Sequence, residues 1–287
     1  MIKKDLYKLG LLRDVKLYSH RTRDNPKLKS FITRSGAIFL EKYRPQKFKG
    51  VWDYWGVKNY EESIKKTSID DNRRVKYIAK SYLIERIFCG SILDYGCGNG
   101  GFVSALSAKM LNANIVGYDA NKKLIRELQG EMLNPKNDFC NFTSDFPDYK
   151  KWDIITLWHT LEHFPNPIKE LLKIKKLMRS NSVLYIEVPN TIDHLNCNSD
   201  YVKHALWSEH VIIHSLKSLT TLVEYCGFDV MRYEYIQRYS SRNAKNWIYH
   251  RCGDGDLINN RELDEFEKNQ VDFGISDTIL MKVRISQ

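Results

Sequence analysis

Apolar and polar positions follow two rhythms along this chain. Apolar stretches ending near Asp94, Asp119, Trp158 and Asn190 (residues 91–95, 114–119, 152–158 and 182–190) read as buried strands. Between them, residues 102–111, 121–132 and 168–179 carry apolar residues at three- and four-residue intervals, which predicts helices. A helix over 73–88 leads into the series after a linker at 66–72, a helix over 216–226 follows it, and residues 230–237 and 278–285 predict two further strands. Strand and helix in alternation at these intervals predict an α/β fold with a doubly wound, mostly parallel sheet. Residues 191–211 show little periodicity, and a loop that long in a compact domain usually carries function.

The first strand runs into Asp94-Tyr-Gly96-Cys97-Gly98-Asn99-Gly100-Gly101. Glycines between a strand end and a helix let backbone approach a ligand closely and adopt φ > 0. Gly96-x-Gly98-x-x-Gly101, with Asp119 downstream, also satisfies the dinucleotide fingerprint. Asp94 separates the two readings, because a carboxylate beside the first glycine would repel a pyrophosphate at low dielectric. S-adenosylmethionine carries an ammonium and a sulfonium and no phosphate, so the same carboxylate helps to hold it.

Asp94-x-Gly96-x-Gly98-x-Gly100 resembles motif I of class I S-adenosylmethionine-dependent methyltransferases. The resemblance implies a Rossmann-like seven-stranded sheet whose last two strands form a reversed edge pair. It also implies a cofactor site at Asp94, Gly96, Cys97, Gly98, Asn99 and Gly100. Asp119 would meet the ribose hydroxyls with Ala120 beside it in the cofactor site, Asp145 and Phe146 the adenine, and Trp158 and His159 the methyl-donor end; Asp119 also reads as a helix N-cap. The Leu161-Glu162-His163 turn is similar to one that closes over the cofactor in such enzymes.

His159-x-x-Glu162-His163 fits the H-x-x-E-H zinc pattern formally, but that pattern needs a helix, and here it follows a strand and precedes Pro165. Ubiquinone-pathway O-methyltransferases resemble this stretch with Glu-x-x-Glu-His and a divalent ion; His159 replaces the first Glu. No metal is expected. Trp207-Ser-Glu-His210 and His214-Ser215 resemble the His-containing approach to the penultimate strand in a group of bacterial sugar and surface-polysaccharide methyltransferases. The same group is also resembled at His20-Arg-Thr-Arg-Asp24, Ser35–Leu40, Gln237-Arg-Tyr239, Asn246-Trp247 and Ser276-Asp-Thr-Ile279. Cys252-Gly-Asp-Gly255 departs from that group's Pro-Gly-Gly-His turn. Insertions fall near 191–213 and 240–274, the second with a helical segment near 261–270.

The 287 residues suffice for a full core and an extension, divided here as 1–70 and 71–287. No apolar run is long enough to span a membrane and no signal-peptide core is visible; six cysteines without a C-x-x-C pair read as reduced thiols of a cytoplasmic protein. Residues 1–80 hold 21 Lys and Arg against 9 Asp and Glu, while the remainder is near neutral with 24 against 26. Tyr43, Phe48, Trp52, Tyr54, Trp55 and Tyr60 interleave that basic segment, which suits an anionic small-molecule partner such as a nucleotide-linked sugar, or equally a solvated face. Gly36 and its apolar followers predict a small hairpin on the substrate side.

The resulting expectation is methyl transfer to a hydroxyl of a sugar or glycan precursor. A sugar hydroxyl needs a base near neutral pH, and His163, His210 and His159 are the candidates. An RNA methyltransferase, suggested by the basic segment, is disfavoured because no Asn/Asp-Pro-Pro-aromatic loop follows the fourth strand. An inactive cofactor-binding protein is disfavoured by the intact Asp94, glycines and Asp119. Oligomeric state is not legible.

Overall fold

The computed structural model describes residues 9, 14–42, 50–85, 90–110, 112–131, 140–259 and 261–287, with the backbone alone for 81–85. Tyr43, Phe48 and Cys89, and the far ends of the helices expected over 73–88, 102–111 and 121–132, lie outside the described residues. The chain divides into two compact units. One comprises Met1–Gln46, His159–Lys173 and Ile186–Ser286; the other comprises Lys47–Trp158, Ile174–Tyr185 and Gln287.

The second unit contains α1 (Tyr60–Glu85), β4 (Ser91–Tyr95), α2 (Gly101–Ser107), β5 (Asn114–Tyr118), α3 (Lys122–Glu131), β6 (Cys140–Thr143) and β7 (Trp152–Trp158). β4 pairs in parallel with β5 and β7, and β5 with β6. All five residues of β4 are buried, which is why its sequence reads as an apolar run and not as an alternation. Val103 and Leu106 of α2 and Leu124 and Leu128 of α3 are buried as the helical period requires.

In the first unit, β1 (Lys16–Ser19), β2 (Ser30–Ile32), β3 (Ile38–Leu40) and β9 (Ile212–Ile213) form a four-stranded sheet in that order. β2 and β3 are the expected hairpin, turned at Gly36 with φ +82°. Ile38, Leu206 and Ile213 form one of its apolar clusters, with Tyr18, Ile32 and Val202 packed on it. The unit also holds α5 (Ser199–Ala205), α6 (Leu216–Tyr225), β10 (Phe228–Ile236), α7 (Ser241–His250), α8 (Glu265–Asp272) and β11 (Thr278–Ile285).

α4 (Pro167–Lys176) and β8 (Met178–Pro189) complete the chain, and the large sheet takes the order β10-β11-β8-β7-β4-β5-β6. β10 and β11 pair antiparallel, as expected for a reversed edge pair. This is the seven-stranded, mostly parallel, Rossmann-like sheet that the sequence implied.

Three local expectations are corrected. Residues 66–72 are not a linker but lie inside α1, whose buried face includes Ser63, Asp70, Asp71 and Arg74. A polar buried face leaves no apolar period to read. The helix expected to reach residue 179 stops at Lys176, and β8 begins at Met178, where buried Leu177 and Met178 satisfy either pattern. Residues 191–211 are not one loop. They include a 3-10 turn at His194–Cys197 and α5, capped by the Asn198 side chain, which accepts from the backbone of Asp200 and Tyr201.

Candidate active site

Asp94 is the last but one residue of a fully buried strand and is itself 2 % exposed. Thr156 of the neighbouring β7 donates its hydroxyl to the carboxylate at 2.7 Å. Burial pushes this carboxyl up to about 7, against the Thr156 hydrogen bond and the charge of Arg74. A carboxyl so placed gains from an incoming cation, which restores its ionised form.

After it, Gly96, Gly98 and Gly100 all have positive φ, +87°, +53° and +75°. The loop is held by the amides of Gly96 and Cys97 donating to the Tyr118 carbonyl at 2.7 and 3.0 Å. The glycines do different work. A Cβ on Gly100 would lie 2.7 Å from the Phe142 ring, so this glycine serves packing, whereas a Cβ on Gly98 would meet only Trp55. Asn99 is buried, donates to Thr67 of α1 at 3.1 Å and accepts from Gly101, so it ties the loop down; buried Cys97 is a thiol raised well above its ordinary range by desolvation.

Asp119 follows β5. Its Oδ2 accepts from the Gly98 amide at 3.3 Å and its Oδ1 from the Asn121 amide at 2.8 Å, which places the carboxylate beside the glycine loop and also at the head of α3. The N-cap expectation is corrected, because the cap is Asn121, whose Oδ1 accepts from the Lys123 and Leu124 amides, while Asp119 holds the Asn121 amide one step earlier. Ala120 and Asp145 are exposed next to this region, and Phe146 packs edge-on against Tyr95 and Tyr118. Trp158 is 6 % exposed, edge-on to Phe102 at 5.3 Å, and works as a wall of the core.

Arg74 of α1 is the residue that pattern reading missed here. It is 9 % exposed, paired with Asp71 at 3.2 Å and 5.5 Å from the Trp158 ring, and its charge is felt by Asp94. A buried guanidinium and a buried carboxyl together match the two charges of an amino-acid zwitterion. The buried polar face of α1 is the only trace it leaves in sequence.

The histidines form a separate construction in the first unit. A 3-10 turn at Leu161–His163 carries Glu162, 1 % exposed, and His163. Ligand-type atoms of Glu162, His163 and His210 all lie within 4.8 Å of one another. His163 donates Nδ1–H to the Glu209 carbonyl at 3.0 Å, which selects the Nδ1–H tautomer for its neutral ring. The His163 and His210 rings meet edge to face at 5.0 Å. Burial, reinforced by His163, pushes His210 down to about 3, so it is neutral at physiological pH.

His159 plays a different part. Its φ of +48° is unusual for a non-glycine residue and marks a fixed turn after β7. Nδ1 lies 3.2 Å from Glu162 and Nε2 3.4 Å from Glu187. Burial and Arg238 oppose a charge on His159, but the two glutamates prevail and raise its pKa. Burial would also raise Glu162; the hydrogen bond and charge of His159 hold it instead at about 2. The two glutamates favour the charged form of His159, which suits it to positioning Glu162.

His214 is fully buried, 3.2 Å from the Ser218 hydroxyl and pushed down to about 4 by desolvation, and Ser215 caps α6 with a capping box. It is structural. Asp277, also outside the expected set, accepts from the amides of Arg238 and Tyr239 at 2.8 and 3.2 Å and so fixes the Gln237-Arg-Tyr239 segment. Among the described residues no helix is long and apolar enough to cross a membrane.

A family profile described as "Methyltransferase domain" matches residues 33–233. The ubiquinone biosynthesis O-methyltransferase of Glaesserella parasuis is 33% identical over 113 residues, 36% of this chain and 47% of that protein. The (S)-tetrahydroprotoberberine N-methyltransferase of Eschscholzia californica is 30% identical over 105 residues, 34% of this chain and 29% of that protein. The matched stretch thus spans less than half the length of either relative. The solved structure of the plantazolicin methyltransferase BpumL with S-adenosylhomocysteine superposes with a TM-score of 0.50 over 83% of this chain and 94% of that one, at 16% identity. That likeness is one of fold.

Proposed function

The chain belongs to the methyltransferase-domain family, the class I S-adenosylmethionine-dependent methyltransferases, and we propose that it methylates a hydroxyl of a small molecule, a sugar or glycan precursor carrying phosphate. On this reading Asp94 holds the ammonium of S-adenosylmethionine, Arg74 its carboxylate and Asp119 its ribose hydroxyls. When bound, that cofactor supplies a methyl group already activated on a sulfonium. What the protein must add is alignment, exclusion of water and a proton acceptor.

The observation that carries the proposal is His163 set within 4.8 Å of a neutral His210 and an ionised Glu162. His163, its Nδ1–H fixed by the Glu209 carbonyl, takes the acceptor hydroxyl's proton at Nε2, and Glu162 stabilises the imidazolium that forms. His210 adds no charge beside it. The basic composition of residues 1–80 supports an anionic acceptor, with 1–70 as the cover on the substrate side. The test is methyl transfer from labelled S-adenosylmethionine to a panel of nucleotide-linked sugars and their dephosphorylated counterparts. Equal turnover of both removes the electrostatic part of the proposal. Turnover of generic RNA, with the steep salt dependence of phosphate contacts, replaces the acceptor class altogether.

A further inference from the structure

The aromatic residues of the segment preceding α1 have no part in the function proposed so far. Trp52, Tyr54, Trp55 and Tyr60 are all partly exposed, and their rings form one chain: Trp52 lies 5.9 Å from Trp55 and 5.8 Å from Tyr60, and Tyr54 meets Trp55 edge-on at 5.1 Å. The segment is a built turn and not a loose strap. Asp53–Trp55 is a 3-10 turn closed by Gly56 with φ +62°. The Gly50 amide donates to Asp53 at 2.7 Å, and Lys66 of α1 donates its ammonium to the Trp55 carbonyl at 2.5 Å.

α1 itself is joined to the glycine loop through Thr67 and Asn99, and Tyr60 reaches Ser104 of α2 at 3.5 Å. The turn is thus fastened to the same elements that present the loop. Its tip points at Gly98: a Cβ there would lie 3.3 Å from Cζ2 of Trp55. Gly98 sits between the two carboxylates of the donor site, with Asp94 four residues before it and its own amide on Asp119. Any ligand that joins Asp94 to Asp119 passes over Gly96–Gly98 and meets this ring.

We propose that Trp55 is a side wall of the donor site, its ring lying against the bound cofactor at the Gly98 end of the glycine loop and shutting water out there. The inference rests on the donor-site reading above. Half-exposed aromatic rings gain most when a ligand completes their burial, and the gain falls on the part shared by S-adenosylmethionine and S-adenosylhomocysteine. Gly98 then has two reasons to lack a side chain, its φ of +53° and the closeness of the ring.

The experiment is calorimetry of the full chain with S-adenosylhomocysteine, together with tryptophan fluorescence, for the wild type, Trp55→Phe, Trp55→Ala and Asp119→Asn. Trp55→Ala is expected to weaken binding about 10- to 100-fold, as expected for an aromatic side chain buried by a ligand, and Trp55→Phe by no more than about threefold. The ligand-induced change in tryptophan emission should be largely lost in Trp55→Phe, which a merely structural Trp55 would not produce. Thermal melts of the unliganded variants exclude unfolding as the cause. If Trp55→Ala binds within about twofold of wild type while Asp119→Asn loses affinity, the wall is disproved and the donor site stands. If the wild type binds no S-adenosylhomocysteine, the donor-site reading fails, and the wall with it.

Discussion

The donor side and the histidine cluster each bury a carboxylate, and they treat it in opposite ways. Asp94 has a hydroxyl in direct contact and is lifted to about 7 by burial, whereas Glu162 has an imidazolium in contact and is held at about 2. The first is left short of positive charge until a ligand supplies it. The second has its counter-ion built in, which keeps it ionised beside His163 and a neutral His210. One arrangement is suited to binding a cation, the other to stabilising a cation created during reaction.

The contrast is broken most severely at the base. His163→Ala is expected to lower kcat about 10²- to 10⁴-fold with S-adenosylhomocysteine affinity unchanged, since it removes a proton acceptor and leaves the donor site intact. His159→Ala should lower kcat less and also shift the pH profile, because Glu162 then loses the partner that keeps it ionised. Steady-state kinetics with calorimetry on both variants read this. If His163→Ala turns over like the wild type, the cluster is not the base and the acceptor needs none, as with carbon or an unprotonated amine.

On the donor side, Asp119→Ala is expected to cost S-adenosylhomocysteine binding about 1–3 kcal/mol, the cost of burying ribose hydroxyls without their partner, with kcat at saturation little altered. A nicotinamide cofactor binding in its place would return the glycine loop to the dinucleotide reading.

These two regions were not equally legible. Asp94, the glycines and Asp119 fall at short fixed intervals, because a ligand lying on backbone demands glycine at particular positions and leaves a contiguous trace. The cluster needs only that side chains meet in space. Glu209 and His210 come 46 and 47 residues after His163, and nothing in their own spacing ties them to it. The resemblance to known enzymes singled out the histidines. What the structure adds is that both ring nitrogens of His159 face glutamates, whereas His163 has one nitrogen on the Glu209 carbonyl. Arg74 escaped for a related reason: it falls in the expected helix, but nothing in the spacing shows that a basic residue there is buried and turned toward Trp158.

Asp94 gives a pH test of the same contrast. The unliganded carboxyl titrates at about 7, and an ammonium beside it favours the ionised form, so binding expels a proton below that pH. Affinity for S-adenosylhomocysteine should therefore be flat above pH 7 and fall about tenfold per unit as pH drops below it. Asp94→Asn should weaken binding at high pH and abolish the dependence. An affinity constant from pH 5.5 to 8.5 would mean that Asp94 is already ionised, or that it does not meet the ammonium.

The smallest effect is expected from chelation, and it tests whether the cluster works on protons at all. Glu162, His163 and His210 offer one oxygen and two nitrogens within 4.8 Å, a set that borderline divalent ions accept. Their protonation also suits an ion, since Glu162 is ionised and His210 neutral. Two features favour the proton-handling reading. Glu162 already has a charge partner in His159, and His159 stands where a second carboxylate would have strengthened the site for a hard cation. Dialysis against EDTA is therefore expected to leave kcat within about twofold of the untreated enzyme, as for a site whose transition-state contacts are all protein. Loss of activity restored by Mg²⁺ or Zn²⁺ would make the cluster a metal centre. His163→Ala should then lose the bound ion together with turnover, which metal analysis of the purified variant would show directly.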